Sequence, residues 1–505
     1  MEIRQSLTVD DLRSHNSPSD CWIAISSKIW DVTEFLNDHP GGPEVILQYA
    51  GLDATSAYNS IHAPGMLEET LSTDKFIGDL LPSNDIPPKS TILEAAAAEF
   101  RAPRKPSIQL PSQIPIAYEK PGLHTLISAA DFQNVASRTL TPKAWAFYSS
   151  AATDLVTHTQ NKALLRRIML RPRILQDVTT VSTNRKILGC SSTVPFFISP
   201  AAMARLAHSD GELALARAAG TEGIIQCISS NASYPLSAIV EAGNASHGQP
   251  QSFFLQLYVN VDRSKTADLL RKAVSLGVKA VFVTVDAPVP GKREADERIA
   301  AEAVASAISG AMASNDKKGG GMGRLMAQYV DKSLVWADIA WIKEVSGLPV
   351  VLKGVQSAAD AVMAAEYGCE GLMISNHGGR SLDGAQPSIL VLIELHRVCP
   401  AIFYKLEIYI DGGFERGSDI LKAIALGATA VGIGRPYLYS LAYGEEGSEH
   451  LTQILKDELE TSMRLCGITD IDQAHPGLVN TQDVDHLVAT GVGHPYIQWR
   501  PKAKI

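Results

Sequence analysis

The six cysteines, at positions 21, 190, 227, 369, 399 and 466, form no CxxC pair and no regular spacing, which excludes a zinc ribbon and a disulfide framework. No stretch approaches the ~18 consecutive apolar residues of a membrane-spanning helix, so no membrane partner is expected. The N-terminus lacks the Arg-rich, acid-poor leader of an organellar presequence, and no repeat of solenoid length recurs. No GxGxxG follows the first apolar run of the large segment, which argues against a dinucleotide-binding doubly wound sheet. What is present is ordinary globular usage, 45% hydrophobic and 20% charged, over 505 residues, enough for more than one folding unit.

Charge divides the chain. Residues 1–80 hold 13 of the 54 acidic and 4 of the 45 basic side chains, a balance of −9 that equals the whole chain's net charge. An acidic front disfavours nucleic acid and suits steering toward a basic protein. Residues 81–115 turn proline-rich (LPSNDIPPKS, RAPRKPSIQLPSQIP), a linker composition. The expected organisation is therefore a unit over 1–80, a linker over 81–115 and a large unit over 116–495.

Eight short apolar runs punctuate the large unit: FFISP, IIQCIS, FFLQLY, AVFVTVD, PVVLK, GLMIS, EIYID and AVGIG. They lack strict alternation, as parallel strands buried on both faces do, and amphipathic stretches such as SKTADLLRKAVSLG lie between them. Eight strand–helix units predict an α/β fold, a (β/α)8 TIM barrel, whose chemistry sits on the residues just past each strand's C-terminal end. The Ala-, Gly- and Ser-rich stretch 300–328 is too long for an ordinary connection and reads as a mobile lid.

The strand-end rule gathers Gln256 and Tyr258, Thr284 and Asp286, Lys353, the stretch Ser375 to Arg380, Asp411 to Gly413, and Gly434 with Arg435. They supply a base (His377), a carboxylate able to orient it (Asp286), cations (Lys353, Arg293, Arg380) and glycine-rich turns suited to a phosphate. Singly, each has a plainer reading, since Asp286 can cap a helix and Lys353 can be a solvated charge. Their coincidence at successive strand ends carries the argument.

In the acidic front, His39 opens HPGG, and His62, 23 residues on, precedes Ala63-Pro64-Gly65. With DCWIAISSKIWDVTEF before it, this segment resembles the cytochrome b5 family, a small α+β fold. The resemblance implies that His39 and His62 bind the iron of haem b axially, leaving no open position and hence outer-sphere electron transfer.

The strings FFLQLYVN, VFVTVDAPVPGKRE, VVLKGVQ, SNHGGRSLDG, YIDGG and GIGRPYLY resemble the FMN-dependent α-hydroxy acid dehydrogenase and oxidase family, and the two modules together resemble the flavocytochrome b2 family. The resemblance implies that His377 takes a proton from the substrate with Asp286 behind it, raising its basicity. Tyr258 would bond the substrate hydroxyl, and Arg380 and Arg293 its carboxylate. Lys353 would lie at the flavin N1–O2 edge. Ser229, Gln256 and Thr284 would hold the ring, and Asp411, Gly413, Gly434 and Arg435 the ribityl phosphate. It also implies an L-2-hydroxy acid substrate such as L-lactate, a cytochrome c or similar basic acceptor, and a homotetramer.

Three positions depart from the family pattern. Phe147 stands where a tyrosine commonly binds substrate carboxylate, Glu415 where an arginine commonly lies near the flavin phosphate, and Asn231 where a larger apolar residue lines the substrate pocket. Phe147 and Glu415 leave room for a haem protein with an impaired flavin barrel, and an oxygen-using oxidase is a third reading; Glu415 would weaken FMN unless Arg416 or Arg435 offsets it. The short front predicts a cytoplasmic protein, with a peroxisomal alternative from the terminal Ala503-Lys504-Ile505 and a mitochondrial one from the family.

Overall fold

The computed structural model describes residues 6–36, 38–39, 42–55, 57–58, 62, 66–81, 119–245, 251–300, 304–313 and 321–489. The proline-rich linker beyond Leu81 and the terminal Ala-Lys-Ile lie outside them. The chain divides into two compact units, residues 1–59 with 67–120, and residues 60–66 with 121–505.

The first unit is built on a five-stranded sheet of β1 (Ser6–Leu7), β2 (Asn16–Ser17), β3 (Asp20–Ile25), β4 (Lys28–Asp31) and β5 (Phe76–Leu80), in the order β1-β5-β4-β3-β2. The helix Val9–Ser14 starts on a capping box, in which Thr8 and Asp11 satisfy each other's backbone N–H. Cys21, Ile23, Ile25, Trp30, Val32 and Leu36 form a core from which the half-buried Phe35 leads to His39.

In the second unit all eight apolar runs become strands: β6 (Phe196–Ile198), β7 (Gln226–Ser229), β8 (Phe253–Leu257), β9 (Ala280–Thr284), β10 (Val350–Val355), β11 (Gly371–Ile374), β12 (Glu407–Ile410) and β13 (Ala430–Ile433). They pair in parallel in chain order, and β13 closes onto β6 to complete the barrel. The TIM barrel preceded by a small α+β unit is thus the observed architecture. Phe197, Phe254, Phe282, Val351, Met373 and Tyr409 are fully buried and plug the barrel interior, with the Phe254 and Phe282 rings 5.2 Å apart. A filled interior leaves only the mouth for a ligand.

The stretch read as a mobile lid carries structure in its described part. Val304–Ala305 and Met312–Ala313 pair as an antiparallel hairpin, and a short helix spans Met322–Met326. Ser306 fastens the hairpin by donating to the carbonyls of Ser230 and Ala232, at 3.3 and 3.1 Å. Composition alone gave no sign of that anchor. Among the described residues no helix is long and apolar enough to cross a membrane.

Candidate active site at the barrel mouth

A cavity opens at the C-terminal mouth, and its wall includes Ser229, Asn231, Gln256, Tyr258, Thr284, Arg293, Lys353, His377, Arg380, Asp411, Gly413, Gly434, Arg435 and Phe147. The barrel residues read from the sequence as touching substrate or cofactor thus lie on one cavity, whereas Asp286, Ser375, Asn376 and Gly379 do not line it. The Asp286 side chain is fully buried behind His377, with Oδ1 2.9 Å from His377 Nδ1.

Two backbone features place this pair. β10 carries a register shift between Lys353 and Val355, and Gly354 sits there at φ +110°, where a Cβ would come within 2.6 Å of Asp286 Cβ. Only glycine lets Asp286 pack against the strand. His377 itself adopts φ +58°, a left-handed conformation costly for a non-glycine residue. Its loop is held by a reciprocal amide pair, Asn161 Nδ2 to Asn376 Oδ1 at 2.9 Å and Asn376 Nδ2 to Asn161 Oδ1 at 2.8 Å, while Asn376 Oδ1 also accepts from Gly379 N–H.

Nδ1–H of His377 donates to Asp286, so Nε2, 3.3 Å from the Tyr258 hydroxyl, faces the cavity as the base. Burial lowers the His377 pKa; Asp286 pushes it up, Lys353 and Arg293 down, and the outcome is below the ordinary value. Asp286 thus makes His377 more basic than burial alone would leave it, as the sequence implies, but desolvation outweighs the carboxylate and the imidazole is neutral at pH 7. Burial alone would raise the Asp286 pKa, but His377 and Lys353 overcome it and keep the group ionised.

The cations are preassembled. The helix Pro142–Ser149 begins with Thr141 as N-cap and a proline in its first turn, and its C-terminal carbonyls, which lack helical partners, point at guanidiniums. Arg380 donates to the carbonyls of Tyr148 (3.0 Å) and Phe147 (2.8 Å), and its guanidinium lies 5.2 Å over the Phe147 ring. Arg435 donates to Tyr148, Gly378 and Ser150, each at 3.0 Å. Burial and then repulsion from Arg293 and Arg435 pull the Arg380 pKa well down. Buried guanidiniums that destabilise one another are poised to gain from an anion.

Arg293 is placed by a buried ion pair. Lys143 Nζ, which is unexposed, donates to Asp296 Oδ1 (2.6 Å), Asp296 O (2.7 Å) and Ile299 O (3.0 Å), while Asp296 Oδ2 accepts from Gly323 N–H at 3.2 Å. A side chain on Gly323 would run into the Arg293 guanidinium. The Arg293 Nε is buried with no partner among the described residues.

The residues present fit a flavin nucleotide. Ser199 Oγ and Asp411 Oδ1 are buried on the cavity wall with no protein partner among the described residues, which suits a polar cofactor. Gln256 accepts from Ser230 N–H (3.1 Å) and donates to Thr284 Oγ1 (2.9 Å), and Lys353 Nζ lies 3.3 Å from Ser375 Oγ and 3.7 Å from Asp411. Lys353 is fully buried, yet Asp411 and Asp286 hold it protonated against that burial. Gly412 and Gly413 adopt φ +98° and +90°, a Cβ on Gly413 would come within 2.8 Å of the Asn161 backbone, and their amides form a turn suited to an anion.

Sequence reading missed several lining residues. Ser199 follows β6 and obeys the strand-end rule. His158 and Lys162 lie on the helix Val156–Arg167 before the barrel, where no motif marks them. Lys162 resolves the Glu415 departure, since its Nζ is 2.5 Å from the Glu415 carboxylate. Neither arginine considered from sequence does so, because Arg416 pairs with Glu458 and Arg435 with backbone carbonyls.

In the first unit, His39 Nδ1 lies 3.3 Å from the Gly42 carbonyl, so the proton sits on Nδ1 and Nε2 carries the lone pair a metal would take. Burial lowers its pKa and keeps the ring neutral, as ligation requires. His62 is half-buried and groups with the second unit.

Comparisons with known proteins show the family. Residues 136–481 match the family model described as FMN-dependent dehydrogenase, and residues 8–81 that described as cytochrome b5-like heme/steroid binding domain. The chain is 39% identical over 499 residues to L-lactate dehydrogenase (cytochrome) of Saccharomyces cerevisiae, covering 97% of this chain and 82% of that protein. It is 38% identical over 494 residues to the protein of the same name from Wickerhamomyces anomalus, covering 97% and 82%. Among solved structures, a mutant flavocytochrome b2 with pyruvate bound superposes with a TM-score of 0.66 at 40% identity, covering 75% of this chain and 94% of that one. The chain belongs to the FMN-dependent dehydrogenase family, with a cytochrome b5-like haem-binding domain ahead of its barrel.

Proposed function

We propose that this protein oxidises an L-2-hydroxy acid, L-lactate foremost, to the 2-oxo acid and passes the electrons to haem b and on to a cytochrome c. The observation that carries the reading is a neutral, partly buried imidazole backed by an ionised carboxylate, facing a cavity lined by three guanidiniums. FMN would supply the two-electron acceptor and haem b the one-electron relay. Identity to L-lactate dehydrogenase (cytochrome) over nearly the whole chain supports the substrate and the relay together.

His377 Nε2 receives a proton from the substrate, and Asp286 stabilises the imidazolium that forms. Arg380 and Arg293 offset the substrate carboxylate, each bringing a guanidinium already oriented by backbone or packing. The Tyr258 hydroxyl, 3.3 Å from Nε2, bonds the substrate hydroxyl on the same side. Lys353 would hold a positive charge beside the cofactor ring. Gln256, Ser229 and Thr284 would hold that ring, and the Gly412-Gly413 turn, Gly434 and Arg435 would receive its phosphate. Ser199 and Asp411 supply the polar atoms that otherwise lack partners. With Lys162 beside it, Glu415 brings no uncompensated charge to that pole, which favours the working flavoenzyme over an impaired barrel.

His39 and His62 would hold the iron of haem b, which would supply one-electron transfer. The acidic N-terminal segment favours a basic acceptor such as cytochrome c, so its reduction should slow as salt rises. Cytochrome c reduction with L-lactate, followed across ionic strength, tests this: no reduction of any acceptor by any L-2-hydroxy acid would sink the reading.

A further inference from the structure

The roles above leave the group attached to substrate C2 without a recognition element. Asn231 stands two residues past β7, and β7 lies across the barrel ring from β11, which leads to His377. It lines the same cavity and is 6% exposed. Its backbone is satisfied: the N–H donates to Ser229 Oγ at 3.1 Å, and the carbonyl accepts from Met203 N–H at 3.2 Å.

The side chain is satisfied on one side only. Oδ1 accepts from Ser309 Oγ at 2.7 Å and from the Tyr329 hydroxyl at 3.1 Å. Ser309 Oγ accepts from Ala311 N–H at 3.2 Å and gives its own proton to Asn231 Oδ1. With its oxygen on the hairpin, the amide turns its NH2 group away from it. Among the described residues Nδ2 donates to nothing. A free donor on the wall of a cavity, held by a residue that is otherwise buried, is a place a ligand completes.

We propose that Asn231 selects L-2-hydroxy acids whose side chain carries a neutral hydrogen-bond acceptor, a carbonyl or amide oxygen, over apolar ones of the same shape. The inference rests on the oxidation reading above. Ser309 and Tyr329, the groups that orient the amide, are themselves uncharged, so a neutral acceptor matches this end of the cavity better than a second carboxylate. The hairpin then acts as a strut that aims the amide.

The test uses the full-length protein loaded with FMN and haem, and two acids of nearly equal shape: L-2-hydroxy-4-oxopentanoate and L-2-hydroxy-4-methylpentanoate. Turnover is read at the haem band, with L-lactate as reference. The 4-oxo acid is expected to have a kcat/KM about tenfold higher, the scale of one hydrogen bond to a buried donor. The dissociation constants of the two corresponding 2-oxo acids, read from the flavin band without turnover, should follow the same order. Asn231→Asp keeps an oxygen for Ser309 and Tyr329 but replaces the donor, and should abolish the preference; Asn231→Leu should reverse it. A wild-type preference that is absent or favours the 4-methyl acid overturns the proposal, as does a preference that survives Asn231→Asp. If L-lactate and both acids leave flavin and haem oxidised, the oxidation reading itself fails and the inference falls with it.

Discussion

Lys162 Nζ lies 2.5 Å from the carboxylate of Glu415, and the pair sits on the cavity wall beside the Gly412-Gly413 turn. The two side chains are about three-quarters buried, at 26% and 24% exposure, so the pairing is partly screened and the residual charge is felt locally. Removing the carboxylate should leave a cation for the FMN phosphate; removing the lysine should leave an anion against it. Glu415→Gln is expected to tighten FMN binding and Lys162→Met to weaken it, each by roughly tenfold, the scale of one charge-assisted hydrogen bond. Titration of the apoprotein by flavin fluorescence measures both, and the reverse order would contradict the placement.

His377 acts as a base only when neutral, and burial sets its pKa below 6.5 despite Asp286. The kcat/KM for L-lactate should therefore rise with pH through a midpoint below 6.5 and level off above it. Asp286→Asn withdraws the group that favours imidazolium, so the midpoint should move to still lower pH while the plateau drops by a factor on the order of 10²–10⁴. A midpoint that rises in the variant would show that Asp286 does not act on His377 in this way.

Gly354 makes room for Asp286 at the bulge in β10. Gly354→Ala places a methyl group in the space of the Asp286 side chain at a φ of +110°, and both effects oppose the native geometry. The variant should show the kinetic signature of Asp286→Asn, with the pH midpoint lowered. A variant with normal kcat and pH profile would mean that the strand yields and the carboxylate stays.

Lys143 and Asp296 form an unexposed pair that ties the segment bearing Arg293 to the helix Pro142–Ser149. Breaking such a pair leaves a buried carboxylate alone and costs about 3–5 kcal/mol. Lys143→Met should lower the melting temperature and raise the KM for L-lactate more than it lowers kcat. Lys143→Arg should recover part of both, whereas a KM that does not move would confine the pair to stability.

Phe147 presents an apolar ring under the Arg380 guanidinium. Phe147→Tyr adds a hydroxyl within the cavity wall, and a hydrogen bond to a charged carboxylate contributes about 1.5–3 kcal/mol. The KM for L-lactate should fall by roughly tenfold or more. An unchanged KM would place the new hydroxyl away from the substrate.

Much of this site was legible because barrel chemistry obeys a positional rule. Once eight apolar runs are read as parallel strands, the residues past Leu257, Thr284, Ile374 and Ile410 must share one rim, and they do. The sheet pattern says nothing of helices that precede the barrel, so Lys162 and His158 carried no signal. Nor does it weigh burial against charge: the Asp286–His377 pairing reads as a more basic histidine until the depth of the site is known. The hairpin at 304–313 was hidden for a different reason. Its anchors are a serine hydroxyl and two carbonyls, which Ala-, Gly- and Ser-rich composition does not distinguish from a loose loop.

In the proposed function, electrons taken at the barrel mouth reach the haem domain of the same chain. Anaerobic rapid mixing of the full-length holoprotein with L-lactate, with the flavin and haem bands recorded together, tests it directly. The flavin band should bleach first, and haem reduction should follow at a rate independent of protein concentration. A flavin that bleaches while the haem stays oxidised, and that yields peroxide when oxygen is admitted, would contradict it.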